Sequence, residues 1–308
     1  MNNTVKKDSK KKILSALMLV FTAMIWGFAF VAQRVGAESV GAFVFNGLRF
    51  ALGAVSLIPV YLIFEREKFN KEKFKKTLIA ALVCGTVLFI ASALQQYGIE
   101  LTKSAGKAGF ITGLYTVLVP IIAFIIYKQK NSIGVWIGAV LAVSGLFLLS
   151  VNESFTVEFG DVLLLIGAFF WAAHILVIDK FIGGVSPLRF ASLQFAVCAA
   201  LNLIFAIFFD TFDLGAIMTA LVPLLYGGLG SVGVAYTLQI IGQKNSEPTT
   251  AAIIFSLESV FSAIGGAIIL GEEMSARGYI GCGLIFGGII LSQLKFGKKK
   301  EKSQCIQK

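Results

Sequence analysis

Two fully charged residues fall inside long apolar runs. Arg49 stands in "GAFVFNGLRFALGAVSLIPVYLIF" (41–64) and Glu258 in "TTAAIIFSLESVFSAIGGAIIL" (249–270). A guanidinium at the centre of a bilayer costs about 2.5–3.5 kcal/mol on insertion scales, so it needs a partner or a polar hollow. Arg suits a carboxylate, because its planar fork bonds both oxygens. Glu suits an ammonium group or a proton, and a site holding both signs fits a zwitterion such as an amino acid. Two readings stand side by side. The charges neutralise one another, or bond nearby backbone, to fix helix packing; or they line a cavity and contact a solute.

Other side chains in apolar runs belong to the same chemistry. His174, the single histidine, lies one turn after Trp171 in "FFWAAHILVIDKF" (169–181). Its ordinary pKa near 6.5 suits proton carriage, although a lone helical histidine also serves as neutral packing. Trp26 and Trp171 are candidates to stack on a solute or gate its cavity, or else pack the core. Tyr115, Gln96, Gln239, Gln194 and Tyr236 are candidates for the few polar groups of a mostly apolar pocket, or for helix–helix hydrogen bonds.

Several chemistries find no residues here. "GLGSVG" (228–233) has the spacing of a dinucleotide-binding turn, but that turn needs a strand before it and a helix after it. Inside an apolar run, small residues packing helices closely explain it better. No phosphate-binding loop, paired carboxylates of a soluble cleft or H-E-x-x-H occurs, so no enzyme and no cofactor is expected. Cys84, Cys198 and Cys282 sit in apolar runs and Cys305 in a basic tail, none at ligand spacing, so neither a metal site nor a disulfide framework is expected.

The elements that must hold these residues are membrane spans. Of 308 residues 57% are hydrophobic and only 14% charged, and mean hydropathy is +0.84. Soluble domains run at about 45–50% apolar and 25% charged. A window of about 20 apolar residues gives ten spans, near 13–33, 41–64, 77–99, 106–127, 132–151, 160–182, 187–209, 215–241, 249–270 and 277–295. The opening "MNNTVKKDSKKKILSALMLVF" has the order of a signal peptide, but its apolar stretch is too long and more spans follow. It reads as the first span.

Charge gives the orientation. Most of the 27 Lys and Arg fall in the two tails and alternate loops, such as "EREKFNKEKFKK" (65–76). The opposite loops, such as "NESFTVEFGD" and "DTFD", are acidic. The positive-inside rule places both termini in the cytoplasm of a plasma membrane. The net charge of +10 is thereby assigned to anionic inner-leaflet lipid rather than nucleic acid. Phe69 and Phe74 among the lysines of the second loop fit either a segment lying on that leaflet or a solvated basic loop.

An internal repeat sets the architecture. "MIWGFAFVAQRV" (24–35) resembles 169–181, with Trp26 on Trp171 at an offset of 145, which also sets Arg49 on Gln194. At 143, Gln96 meets Gln239, Tyr115 meets Glu258, and "IGAVLAVSGLFLL" (137–149) meets "IGCGLIFGGIILS" (280–292). Each unit has five spans, so the second enters the membrane in the opposite sense. Inverted repeats mark alternating-access carriers, with the site at the repeat interface near mid-depth. The expected fold is all-α: ten transmembrane helices as two inverted five-helix repeats around a central cavity. Residues 13–151 form the first repeat and 152–295 the second, between basic tails 1–12 and 296–308.

Two five-helix repeats, "IWGFAFVAQ", "LRF" in the second span and "LGEE" (270–273) closing the ninth resemble the drug/metabolite transporter superfamily, specifically its EamA-type ten-helix carriers, over about residues 13–295. The resemblance implies a basket in which helices 1–4 and 6–9 surround the cavity and helices 5 and 10 buttress it. It implies a secondary transporter of small organic solutes, often an exporter of amino acids or other metabolites. The alternative is a proton-coupled exporter of cationic drugs, with Glu258 exchanging protons for cations. Family members usually carry a proline in the fourth and ninth spans, near Thr116 and Ser259. This chain has Pro120 in the fourth and none in the ninth, and "YKQK" where the second repeat has "LGEE".

Overall fold

The computed structural model describes residues 2–65, 70–102, 105–128, 131–150, 158–270 and 275–293. These form helices, with no strand among the described residues. We label them α1 (Asn2–Ala37), α2 (Ala42–Phe64), α3 (Lys71–Thr102), α4 (Ala105–Gly113 and Tyr115–Tyr127), α5 (Ile133–Ser150), α6 (Phe159–Ile182) and α7 (Pro187–Phe209). Next come α8 (Leu221–Gln243), α9 (Pro248–Phe255 and Leu257–Leu270) and α10 (Ala276–Gln293). Eight are long and apolar enough to cross a membrane, and α5 and α10 are shorter apolar helices.

Helix boundaries follow local chemistry. Pro187 and Pro248 occupy first turns, where a missing N–H costs nothing. Three boundaries differ from the apolar runs. Helix α1 reaches back to Asn2 and α3 to Lys71, because lysines continue a helix that apolar residues start. The predicted span 215–241 is interrupted at Ala220, where a short helix Leu214–Thr219, capped by Asp213, gives way to α8. Phe69, the tail 296–308 and all of "LGEE" after Leu270 lie outside the described residues.

The helices close a ring in the order α1, α8, α2, α7, α3, α6, α4, α9 and back to α1, while α5 and α10 pack on each other beside α4 and α9. The α5–α10 seam is made by glycines. A Cβ on Gly138 would strike the carbonyl of Gly288, and one on Gly145 that of Gly281, so the backbones touch as small residues allow. Gly138 and Gly281 are 143 positions apart, as are Gly145 and Gly288. Each residue therefore faces the counterpart of the other, the pattern of a two-fold contact.

Helices α2 and α7 show the same reciprocity. Glu65, just past α2, accepts from the first-turn N–H groups of α7 at Leu188 (2.8 Å) and Arg189 (3.1 Å). Arg189 returns a bond to the Glu65 carbonyl at 3.2 Å. Asp210, just past α7, accepts from Val44 N in the first turn of α2 at 2.7 Å. Acid at a helix N-terminus satisfies orphan donors and complements the dipole. Glu65 and Asp210 are 145 positions apart, as are Val44 and Arg189. Each helix thus caps the other, at opposite ends.

Helices α4 and α9 are broken alike. Leu114 N bonds Ile111 O (3.3 Å) and Val117 N bonds Leu114 O (3.0 Å); Ser256 N bonds Ile253 O (3.2 Å) and Ser259 N bonds Ser256 O (3.3 Å). These tighter i→i−3 bonds sit 142 positions apart, one fewer than the offset pairing Tyr115 with Glu258. No proline makes the α9 break; Ser256 Oγ donates to its own Ile253 O at 2.6 Å, a back-bond that bends helices. Helix α8 departs from α geometry too, winding as π-helix from Tyr226 to Tyr236. Its Gly228 lies too close to Leu52 of α2 to admit a Cβ, so "GLGSVG" packs helices.

Candidate functional site

The ring encloses a cavity with about 460 Å³ of atom-free space, part of it at its mouth. Arg49, Glu258, Tyr115, Trp26, Trp171 and Gln239 line it. Arg49 is buried on α2. Its Nε–H donates to Asn46 Oδ1 at 2.8 Å, and its guanidinium carbon lies 4.8 Å from the Phe50 ring centroid and 5.9 Å from that of Phe45. Such faces attract a cation. The two Nη atoms bond none of the described residues and are left to the cavity. Glu258, also buried, stands just past the break in α9. Its Oε1 accepts from Tyr115 Oη at 2.9 Å, and Oε2 has no partner among the described residues.

No ion pair joins Arg49 to Glu258. A charge buried without its counter-charge costs several kcal/mol. Direct neutralisation, one form of the packing reading, is not what this structure shows.

Aromatic rings form one wall. Trp26 meets Tyr236 at 4.7 Å between centroids and Phe255 at 5.2 Å; Trp171 stacks on Tyr236 at 6.3 Å. Trp26 Nε1 donates to Ser231 O at 3.4 Å, tying α1 to the π-turn of α8. Trp171 Nε1 and Gln239 Oε1 are buried with no hydrogen-bond partner among the described residues.

Three sequence candidates do not line the cavity. His174 is fully buried and meets Gln194 Oε1 through Nε2 at 3.3 Å. His174, the i+3 neighbour of Trp171, packs edge-on against the Trp171 and Tyr236 rings at 6.1 and 6.2 Å between centroids, and those rings, not His174, line the cavity. Gln194 turns its oxygen to His174 and leaves Nε2 buried without a partner among the described residues. Gln96 donates instead to the Gln33 carbonyl at 3.2 Å, and its neighbour Gln95, one residue or about 100° round the helix, lines the cavity.

Sequence reasoning missed Gln33, Gln95, Thr112, Ser231 and Phe255 as lining residues. Trp26, Ala29, Phe30 and Gln33 all line it and follow the i, i+3, i+4, i+7 stripe of one helix face, a signal that points to Gln33. Among the described residues, no three His, Cys, Asp or Glu side chains are grouped to hold a metal ion.

The sequence profile of the EamA-like transporter family matches residues 13–151 and again residues 158–294. The chain belongs to that family. This EamA-like transporter is 30% identical to an uncharacterized transporter of Archaeoglobus fulgidus, over 94% of this chain and 88% of the relative. It is 23% identical to the uncharacterized transporter YoaV of Bacillus subtilis, over 92% of this chain and 98% of that protein. A crystal structure of another protein superposes with a TM-score of 0.74, covering 91% of this chain and 96% of that one at 18% identity, a likeness of fold. With its apolar helices and its family, the protein is a multi-pass membrane transporter of a small-molecule solute.

Proposed function

We propose that this EamA-like transporter is a secondary carrier of amino acids or related zwitterions, working as an exporter in the plasma membrane with both termini cytoplasmic. The observation that carries this reading is one cavity holding Arg49 and Glu258, each with free polar atoms and neither paired to the other. Arg49 receives the carboxylate through its Nη atoms. Glu258, steadied by Tyr115, receives the ammonium group. Trp26, Trp171 and Tyr236 enclose the apolar remainder.

Alternating access follows from two inverted halves, α1–α5 and α6–α10, rocking about this cavity. The twice-matching family profile, the reciprocal glycine seam and the reciprocal caps of α2 and α7 all support that symmetry. The paired breaks in α4 and α9 bring irregular backbone to the site, as carriers of this architecture do.

The second reading, a proton-coupled exporter of cationic drugs, is favoured by the aromatic wall, since ring faces attract cations. Flux in proteoliposomes separates the two. Loss of amino acid flux in both Arg49→Ala and Glu258→Gln supports the zwitterion reading. Cation–proton exchange that survives Arg49→Ala and fails only in Glu258→Gln contradicts it.

A further inference from the structure

The guanidinium of Arg49 does not orient itself. Asn46, one turn earlier on α2, is wholly buried and spends both ends of its amide. Oδ1 accepts from Arg49 Nε at 2.8 Å, and Nδ2 donates to the Ser92 carbonyl of α3 at 3.0 Å. Ser92 is itself anchored, its Oγ 3.7 Å from Cys198 Sγ on α7. The amide is thus held from the side away from the arginine, and its oxygen has one orientation to offer.

We propose that Asn46 is a positioning and specificity residue for solute binding. It occupies Nε, so the fork meets the solute end-on through the two Nη atoms, the geometry that takes both oxygens of a carboxylate. Being neutral, it bonds the guanidinium without cancelling its charge. An aspartate there would offer the same oxygen and consume the charge the solute needs.

The other half of the molecule supports this. At the offset of 145, Arg49 corresponds to Gln194 and Asn46 to Ala191. Where no guanidinium needs holding, no amide stands one turn before. Asn46 therefore answers to Arg49 rather than to the packing common to the two helices.

This inference rests on the zwitterion reading above. The test is ligand-induced thermal stabilisation of the purified full chain, each variant measured as a shift from its own unligated midpoint. The probes are a pool of proteinogenic L-amino acids and the matching pool of their carboxamides. The wild type is expected to be stabilised by the acids and not by the amides, and Arg49→Ala to lose that response. Asn46→Ala frees the fork and weakens apparent affinity for the acids about fivefold; Asn46→Asp weakens it about tenfold or more and erases the preference for acid over amide. Loss of folding in Asn46→Asp leaves the decision to Asn46→Ala. An Asn46 role confined to packing would lower the unligated midpoint without changing that preference. If both variants keep wild-type affinity and preference while Arg49→Ala loses them, the inference is overturned and the zwitterion reading stands. If neither pool shifts the wild type, that reading fails and the inference falls with it.

Discussion

Tyr115 and Glu258 stand 143 positions apart and meet through one hydrogen bond of 2.9 Å, each just beyond the break in its own helix. The bond joins α4 to α9 at the cavity wall. It is the one hydrogen bond the described residues give the Glu258 side chain. Tyr115→Phe keeps the ring and removes that donor. A hydrogen bond to a charged group is worth about 1.5–3 kcal/mol, so the thermal midpoint should fall. Glu258→Gln keeps an acceptor oxygen but removes the charge, so its effect on the midpoint should differ between the wild-type and Tyr115→Phe backgrounds, because both changes act on the same bond. Additive losses would show that the bond does not couple the two residues.

The caps on α2 and α7 should behave as separate clasps. Glu65→Ala strips the acceptor from two N–H groups of α7, and Asp210→Ala strips it from one of α2. Losing an N-cap costs about 0.5–2 kcal/mol, and the Glu65 loss should be the larger. Helix α2 is roughly 34 Å long at 1.5 Å per residue, so the effects should add in the double variant. Chemical denaturation in detergent checks this; a double variant no worse than Glu65→Ala would contradict it.

The glycine seam makes a contrast within one helix pair. Gly145→Leu drives a side chain into the Gly281 carbonyl and Ile285. Overpacking of that kind costs about 1–3 kcal/mol, and the midpoint should drop accordingly. Gly287, also on α10, has nothing within 4 Å of where a Cβ would stand. Gly287→Ala should not lower the midpoint and should raise it slightly, since alanine is the better helix former.

Much of this arrangement was legible in the chain. Long apolar runs mark every helix, because a bilayer needs a fixed length of them. The Trp26–Trp171 and Arg49–Gln194 correspondences pointed to a repeat, and the family profile matches the chain twice. The breaks at Leu114 and Ser256 were not legible: a switch from i→i−4 to i→i−3 bonding needs no special residue, and no proline stands near the break in α9 to announce it. The π-turn of α8 was hidden for the same reason. Composition could not choose Gln95 over Gln96, since one residue of rotation decides which faces the cavity and which bonds α1. His174 drew attention as a rare titratable group, yet it meets Gln194 and packs against the Trp171 and Tyr236 rings that line the cavity in its place. Asn46 left a trace that could be read, an amide one helical turn before the only arginine of α2.

Competition for transport tests the zwitterion site most directly. In proteoliposomes, uptake of a labelled amino acid substrate should be inhibited by the unlabelled amino acid. Its carboxamide has lost the group for Arg49, and its N-acetyl form the group for Glu258. Both should compete about tenfold less well or worse, as loss of one charge-assisted bond implies. If either analogue competes as well as the parent amino acid, Arg49 and Glu258 do not hold the two ends of one solute.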